Sequence, residues 1–172
     1  LGLGHAILSS EPIIGDEAFG VVLADDLCFG EDDGDGVMAQ MVKLYNQFRC
    51  TIVAIEEVPE DEVHKYGVIK GESMNDGLYR VTNMVEKPSK EEAPSNLAII
   101  GRYILTPDIF DKIRNTPPGR NGEVQITDAI LQQAQEGCVI AYKFKGKRFD
   151  CGSVDGFVEA TNYCYKHIYK ES

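Results

Sequence analysis

The sequence predicts an α/β protein built on a mostly parallel, mixed sheet with helices on its faces. Two short segments, residues 20–24 and 51–55, are continuously apolar, which is typical of strands covered on both faces. Between them, apolar residues recur at helical spacing, at Val37, Met41, Leu44 and Phe48. Strand, helix and strand in this order form a βαβ unit. Hydrophobic residues make up 43% of the chain and charged residues 26%, which is ordinary globular composition.

The next segments extend this sheet. Residues 66–69 and 78–85 are short and β-rich, with polar turns between them, and they predict antiparallel additions. Residues 98–105 form a further apolar strand. Pro107 then suits the first turn of a short apolar helix, because its missing N–H has no partner to lose there.

The remaining third of the chain continues the alternation of helices and strands. Thr127 is predicted to cap a helix that ends at Glu136. Residues 139–144 read as a strand, and a last helix begins at about Val154. With no internal repeat or interdomain linker, we expect residues 1–172 to form a single α/β domain.

The charge of the chain limits its partners. The formal net charge is -11 at pH 7, which repels phosphodiester backbones and anionic lipid headgroups. No apolar run reaches the length of a membrane span. We therefore expect neither a nucleic acid nor a membrane as partner. Five cysteines without the spacing of a zinc site or a redox pair favour reduced thiols and a cytoplasmic protein.

Two carboxylates follow presumed strands at distant places in the chain. Asp25 ends the segment that begins at residue 20, and Asp150 ends a later one. A sheet can bring two such ends together, and two carboxylates are what Mg²⁺ takes from a protein while it keeps water and phosphate oxygens. The alternative is that each is a turn or helix-cap residue. Asp26 competes with Asp25, because neighbouring side chains leave a strand on opposite sides.

The Glu86-Lys87-Pro88 sequence could hold a sugar phosphate. A carboxylate accepts hydrogen bonds from sugar hydroxyls, and the adjacent ammonium reaches a phosphate as a point charge. On an extended segment the two side chains would leave on opposite sides, so one of them needs a local distortion. The alternative is a solvated ion pair before a turn.

Two glycine positions could let a ligand approach the backbone. Gly67 follows Tyr66, and Gly4 lies in the opening glycine-rich segment, where a planar base could pack at a helix start. A plain turn glycine is an equal alternative at each position. His5 is expected to make a local hydrogen bond rather than to act as a catalyst.

In their order, these pieces resemble one branch of the sugar-1-phosphate nucleotidyltransferases, the bacterial UDP-glucose pyrophosphorylases. The resemblance spans essentially the whole chain. The Glu-Lys-Pro element is shared by the wider family, whereas two longer runs are specific to this branch. The segments that carry the resemblance are residues 2–6, 23–26, 66–68, 85–88, 93–103, 122–128 and 146–152.

The resemblance implies a Rossmann-like nucleotidyltransferase fold and the synthesis of UDP-glucose and pyrophosphate from UTP and glucose 1-phosphate. It implies in-line attack of the sugar phosphate on the α-phosphorus, with Mg²⁺ as cofactor. Carried over position by position, the metal ligands are Asp25 and Asp150. The substrate contacts are Gly67 and Glu86 with glucose hydroxyls, Lys87 with the sugar phosphate, Gly4 with uracil and Ile99 with the sugar. Lys87 is also counted, with the two aspartates, among the catalytic residues.

The chain also departs from the family pattern. The family begins with a strand and a glycine-rich loop that holds the triphosphate, and nothing before Gly2 corresponds to it. The expectation is therefore a truncated start at Leu1 and a chain that is inactive alone. The family resemblance also predicts a homo-oligomer.

Two other functions remain open from the sequence. A nucleotidyltransferase that makes dTDP-glucose or uses another hexose phosphate would use the same chemistry. In the family that the chain resembles, the residue that recognises the base lies before Leu1, so the sequence does not distinguish these nucleotides. The second alternative belongs to a different functional class and is a non-catalytic module that binds sugar phosphates. The branch-specific runs at residues 94–103 and 122–128 favour UDP-glucose synthesis.

Overall fold

The computed structural model describes residues 2–31, 34–75, 77–119 and 122–169, so Leu1 lies outside it. The helices are α1 (Gly2–Leu8), α2 (Glu11–Ile14), α3 (Val37–Phe48), α4 (Ile109–Asn115), α5 (Ile126–Glu136) and α6 (Val154–Cys164). The strands are β1 (Phe19–Val22), β2 (Asp26–Gly30), β3 (Thr51–Glu57), β4 (Gly67–Asn75), β5 (Leu78–Glu86), β6 (Leu97–Leu105), β7 (Val139–Lys143) and β8 (Gly146–Asp150). A 3-10 turn covers Val63–Lys65, and a π-helical turn covers Tyr165–Tyr169.

The strands form two sheets. The larger has six strands in the order β1-β6-β3-β7-β5-β4, and β4 also pairs with β6 where Val68 lies opposite Ala98. The smaller consists of β2 and β8, which run antiparallel with Asp26 opposite Asp150. Among the described residues, no helix is both long and apolar enough to cross a membrane.

The fold class is confirmed as α/β with a mixed sheet flanked by helices, but antiparallel pairs predominate over parallel ones. Among the described strand pairs, only β3 and β7 run parallel. Strand β6 lies between β1 and β3 and is antiparallel to both. The predicted βαβ unit therefore exists, since β1 and β3 share a direction, but a third strand separates its two strands. Neither strand's own sequence reveals this insertion.

The core has two halves, one on each face of the six-stranded sheet. Alternate residues of β3 point to opposite faces, with Val53 and Ile55 in one half and Ile52 and Ala54 in the other. One half is closed by α1, α4 and α5, and the other by α3. The architecture is thus helix, sheet, helix, with the nine residues of β6 all buried at its centre.

Three local features differ from the sequence predictions. Strand β1 is only half-buried, with Val22 exposed, because it lies at the edge of the described sheet. Helix α5 begins at Ile126, so Thr127 is inside its first turn rather than at its cap. The helical spacing of Val158 and Tyr165 predicts that they share an apolar face of the last helix, yet both are exposed, and Tyr165 lies in the π-helical turn that follows α6.

Candidate active site

A cleft of about 330 Å³ opens between the smaller sheet, the start of β4, the end of β5 and the first turn of α5. Of the seven predicted site residues, six line it: Asp25, Gly67, Glu86, Lys87, Ile99 and Asp150. Residues from five separate parts of the chain thus meet at one place. The spacing of these residues in the sequence could not show this convergence.

The turn that carries Asp25 is anchored to the central strand β6. The N–H of Leu23 donates to the carbonyl of Gly101 at 2.9 Å, and the N–H of Gly101 donates to Asp26 Oδ2 at 2.7 Å. A Cβ on Gly101 would lie 2.6 Å from Leu23 Cβ, so only glycine allows this approach. The buried Arg102 adds a hydrogen bond to the carbonyl of Leu23. The turn is therefore held rigidly against the sheet.

Asp26 and Asp25 have different environments, which separates the two competing carboxylates. Asp26 is buried, and its two oxygens accept hydrogen bonds from Arg148 and from the N–H of Gly101. Asp25 is exposed and lines the cleft. Asp26 therefore has a structural role, and Asp25 is the one that can reach a ligand.

Asp150 lies beside Asp25. The carbonyl of Asp25 accepts a hydrogen bond from the N–H of Cys151 at 2.7 Å, which joins the two segments. A Cβ built on Gly152 would lie 3.1 Å from Asp150 Oδ1 and 3.6 Å from Asp25 Oδ2. The two carboxylates therefore flank one small space. Gly152 also donates its N–H to Asp150 Oδ1 at 3.1 Å.

These two carboxylates fit the coordination preference of Mg²⁺. Within residues 2–31, 34–75, 77–119 and 122–169, no group of three or more His, Cys, Asp or Glu could hold a metal ion. A site with two protein carboxylates suits an ion that keeps several waters and takes phosphate oxygens from its substrate. It does not suit a structural zinc ion, which needs four protein ligands.

Arg148 contacts three carboxylates at the cleft, and the sequence did not predict this role. Its guanidinium forms an ion pair with Asp26, lies 3.5 Å from Glu56 Oε2 and lies 3.5 Å from Asp150 Oδ2. Its Nη1 donates to the hydroxyl of Tyr66 at 3.4 Å, and that hydroxyl donates to Asp150 Oδ2 at 3.3 Å. Arg148 thus connects the smaller sheet to β3 and to the start of β4.

The positions of these groups explain their protonation. Burial alone would lower the pKa of Arg148, but the hydrogen bond to Tyr66 and the charge of Asp26 outweigh it and raise the pKa well above its ordinary value. Burial raises the pKa of Glu56, and the charge of Arg148 opposes that rise. Burial, followed by the charges of Glu86 and Asp26, raises the pKa of Tyr103 on the cleft wall. Tyr103 therefore stays a neutral phenol.

The carboxylate of Glu86 is fixed by its surroundings. Glu86 lies directly opposite Gly67 in the β4–β5 pair, and its Oε2 accepts a hydrogen bond from the hydroxyl of Thr127. A Cβ on Gly67 would lie 3.0 Å from Thr127 Oγ1, 3.1 Å from Glu86 Oε2 and 3.4 Å from Ile99 Cδ1. The missing side chain of Gly67 therefore leaves room for this carboxylate at the base of the cleft.

Lys87 carries the local distortion that the Glu86-Lys87 sequence requires. Its φ is 45°, which is uncommon for a residue with a side chain. Its N–H donates to the carbonyl of Tyr66 at 2.9 Å, so the segment stays attached to the start of β4. Because of the left-handed turn, the side chains of Glu86 and Lys87 line the same cleft. Such strained residues occur preferentially at functional sites.

Gly4 is the one predicted site residue that does not line the cleft. Its N–H donates to the carbonyl of Val124 at 3.1 Å, and a Cβ would lie 2.7 Å from that oxygen. The close approach that Gly4 allows is therefore to a neighbouring loop. Leu3 is the residue of α1 that lines the cleft. The contact of Gly4 with uracil stays a prediction.

The nucleotidyl transferase family matches residues 1–167 of the chain. The chain belongs to the nucleotidyl transferase family. Its similarity to the UTP–glucose-1-phosphate uridylyltransferase of Pseudomonas aeruginosa is 70% identity over 98% of this chain and 60% of that protein.

Solved structures of nucleotidyl transferases share the fold. A UDP-glucose pyrophosphorylase in complex with UDP-glucose has 59% identity and a TM-score of 0.93, over 96% of this chain and 62% of that one. A UTP-bound enzyme of the same kind from Acinetobacter baumannii has 36% identity and a TM-score of 0.84, over 97% of this chain and 57% of that one. The chain thus spans less than two thirds of the length of these relatives.

The candidate site also contains groups that the sequence did not predict. Thr127, Tyr66 and Arg148 were not assigned to the cleft. Arg148 lies two residues before Asp150 on one strand, so alternation places the two side chains on the same face. That spacing was a usable signal. No signal in the sequence indicated the contact between Thr127 and Glu86, because the two residues are 41 positions apart.

Proposed function

We propose that the protein is a Mg²⁺-dependent uridylyltransferase that makes UDP-glucose and pyrophosphate from UTP and glucose 1-phosphate. The observation that carries the proposal is the convergence of a carboxylate pair and a Glu-Lys pair on one cleft. The first pair suits a phosphate-bound cation, and the second suits a sugar phosphate. The 70% identity to a protein named for this activity supports the choice of nucleotide and sugar.

The sugar phosphate would bind through the base of the cleft. Glu86, held by Thr127, would accept hydrogen bonds from glucose hydroxyls beside Gly67. Ile99 would contact the apolar side of the sugar ring. Lys87 would pair with the phosphate, and the left-handed backbone there would direct its ammonium to the same ligand as Glu86. One substrate would thus be held at both ends, which orients its phosphate oxygen for attack.

The reaction would be a displacement at phosphorus. A phosphate oxygen of glucose 1-phosphate forms a bond to the α-phosphorus of UTP, and the bond from that phosphorus to the bridging oxygen breaks, so that pyrophosphate leaves. Asp25 and Asp150 would hold Mg²⁺, which when bound neutralises charge on the phosphates. Lys87 would offset charge on the attacking phosphate. The chain's residues would act by positioning and charge, without a covalent intermediate.

The nucleobase would lie against α1. Gly4 would contact uracil, and its position one residue after the cleft-lining Leu3 is compatible with this. A dTDP-glucose or other hexose-1-phosphate nucleotidyltransferase would use the same sugar and metal groups. A non-catalytic sugar-phosphate binding module would keep the Glu-Lys pair and bind without turnover.

The test is an activity assay on the protein produced from its gene, with whatever sequence flanks residues 1–172. Glucose 1-phosphate and Mg²⁺ are supplied with UTP, dTTP, ATP or CTP in turn, and pyrophosphate release is measured. We expect turnover with UTP to exceed that with the other nucleotides. A preference for dTTP would select the alternative enzyme, and binding of glucose 1-phosphate without turnover would select the binding module.

Two further expectations belong to the same proposal. We infer a cytoplasmic location, which is consistent with five cysteines that are all free thiols. The homo-oligomer predicted from the family resemblance stays a prediction, and light scattering on the purified protein tests it.

A further inference from the structure

Two cysteines that are far apart in the sequence lie side by side at the edge of the core. Cys50 and Cys138 immediately precede the parallel strands β3 and β7, whose register pairs Thr51 with Val139. One step before that pair, the two cysteines are opposite each other. Neighbouring strands are about 4.8 Å apart, and a disulfide spans Cα atoms roughly 4.4–6.8 Å apart.

The two thiols also share a packing environment and an opening to solvent. Both belong to the part of the core closed by α3, where Cys50 is buried and Cys138 is partly buried against it. Both line a cavity of about 320 Å³, which is also lined by Arg49, Asp108 and Glu136. This cavity shares no residue with the candidate active site. A small reagent can therefore reach the pair without entering the catalytic cleft.

The two thiols differ in burial, which sets an order of events. Burial, followed by the hydrogen bond with Cys138, raises the pKa of Cys50 to about 12. Since the thiolate is the reactive form, Cys50 is a poor first nucleophile. Cys138 is the more accessible sulfur and is suited to react first. Cys50, already in contact with it, is placed to react second.

We propose that Cys50 and Cys138 are a site of reversible oxidation by low-molecular-weight disulfides of the glutathione type. In the first step the Cys138 thiolate attacks one sulfur of the reagent, its S–S bond breaks, and one reagent thiolate leaves. In the second step the Cys50 thiolate attacks Cys138 Sγ and displaces the second reagent thiolate. The two protein thiols are oxidised, the reagent disulfide is reduced, and the two protons end on the two reagent thiols.

The experiment uses oxidised glutathione and maps the product by mass spectrometry. The protein is incubated with the reagent, its remaining thiols are alkylated, and it is digested with trypsin without reductant. Cleavage at Arg49 and Lys65 isolates Cys50, and cleavage at Arg120 and Lys143 isolates Cys138. We expect one linked pair of these two peptides, which separates when a reductant is added.

Variants distinguish the linked pair from random oxidation. Cys50→Ser and Cys50→Ala should each leave Cys138 carrying a glutathione, because the second nucleophile is gone. Cys138→Ser should leave Cys50 unmodified, because the buried thiol reacts poorly alone. Cys28→Ser should not change the linked pair. A wild-type protein that keeps glutathione on Cys138, forms no product, or links Cys50 to another cysteine would overturn the proposal. None of these outcomes depends on nucleotidyltransferase activity.

Discussion

The guanidinium of Arg148 and the carboxylate of Asp26 form an ion pair inside the protein, next to the candidate metal carboxylates. Their side chains are 7% and 10% exposed. Asp26 is the first residue of β2 and follows Asp25 directly, and Arg148 lies on β8, the other strand of the smaller sheet. The pair therefore holds the smaller sheet to the turn that carries Asp25. Removal of Arg148 would leave the buried carboxylate of Asp26 without this ion-pair partner.

We predict that Arg148→Met lowers the free energy of unfolding by about 3–5 kcal/mol, because Asp26 then stays buried and unpaired. Asp26→Asn should also destabilise the protein, since Arg148 loses its main partner. The double variant should lose less than the sum of the two single losses. Urea unfolding followed by circular dichroism measures all three.

An exposed ion pair provides the matched control. Lys43 and Asp35 form an ion pair with side chains 70% and 42% exposed. Lys43→Met should therefore change the free energy of unfolding by less than about 1 kcal/mol. If Arg148→Met had an equally small effect, the structural role assigned to the buried pair would be wrong.

Asp25→Asn and Asp150→Asn should each remove most of the turnover while the protein stays folded. Both side chains are partly or fully exposed, so loss of charge should cost less than about 1 kcal/mol of stability. Binding of Mn²⁺, as a paramagnetic substitute for Mg²⁺, should weaken in both variants. Electron paramagnetic resonance of free Mn²⁺ measures this without turnover.

Asp16→Asn is the control for the loss of a negative charge, because Asp16 is exposed and does not line the cleft. It should leave both Mn²⁺ binding and turnover unchanged. Unchanged Mn²⁺ binding in Asp25→Asn and Asp150→Asn would contradict the assignment of the cation to these two carboxylates.

The sequence predicted most elements of this fold, because apolar periodicity directly reflects which face a segment buries. Strands β3, β5, β6 and β7 lie within a few residues of their predicted positions. Strand β2 was missed. Among the described strands it pairs only with β8, and a two-stranded sheet buries too little surface to impose a clear pattern on its residues.

The sequence could predict groups that are adjacent along the chain. It could not predict groups that are distant in the sequence and meet only through the topology of the sheet. The Glu86-Lys87 pair required a distortion to act together, and the φ of 45° at Lys87 is that distortion. By contrast, the neighbourhood of Cys50 and Cys138 follows only from the register of two parallel strands. No spacing along the chain contains that information.

Thr127→Val should weaken glucose 1-phosphate binding without removing Glu86. The lost hydrogen bond to a carboxylate is worth about 1.5–3 kcal/mol, so we expect the KM for glucose 1-phosphate to rise roughly tenfold or more. Thr127→Ser keeps the hydroxyl and should restore most of the affinity. Glu86→Gln should show a larger increase than Thr127→Val. An unchanged KM in both Thr127→Val and Glu86→Gln would exclude this carboxylate from sugar binding.

Substitutions of Lys87 separate its charge from its backbone strain. Lys87→Ala and Lys87→Gly both remove the ammonium, so both should raise the KM for glucose 1-phosphate. Only glycine adopts a φ of 45° without strain, so Lys87→Gly should be more stable than Lys87→Ala by about 1 kcal/mol. Thermal unfolding and initial-rate kinetics together test this. Equal stability of the two variants would show that the left-handed turn carries no cost.

Cys50 should be the slowest of the five thiols to react with iodoacetamide in the folded protein. Its pKa of about 12, against an ordinary 9.0, follows from burial and from the Cys138 thiol. At pH 8 about one Cys50 in ten thousand is then a thiolate, against about one in ten for an ordinary thiol. Its labelling rate should rise about tenfold per pH unit, as long as the protein stays folded.

The same raised pKa links Cys50 to stability in alkaline solution. Because the folded-state pKa lies above the unfolded value, the thiol's contribution to stability is complete below about pH 9 and is lost as the pH rises through 12. Cys50→Ala should therefore flatten the decline in stability between these two pH values. Urea unfolding at pH 8, 9 and 10, with mass-spectrometric labelling of each cysteine, measures both effects. Labelling of Cys50 as fast as that of Cys151 would contradict the buried, hydrogen-bonded thiol.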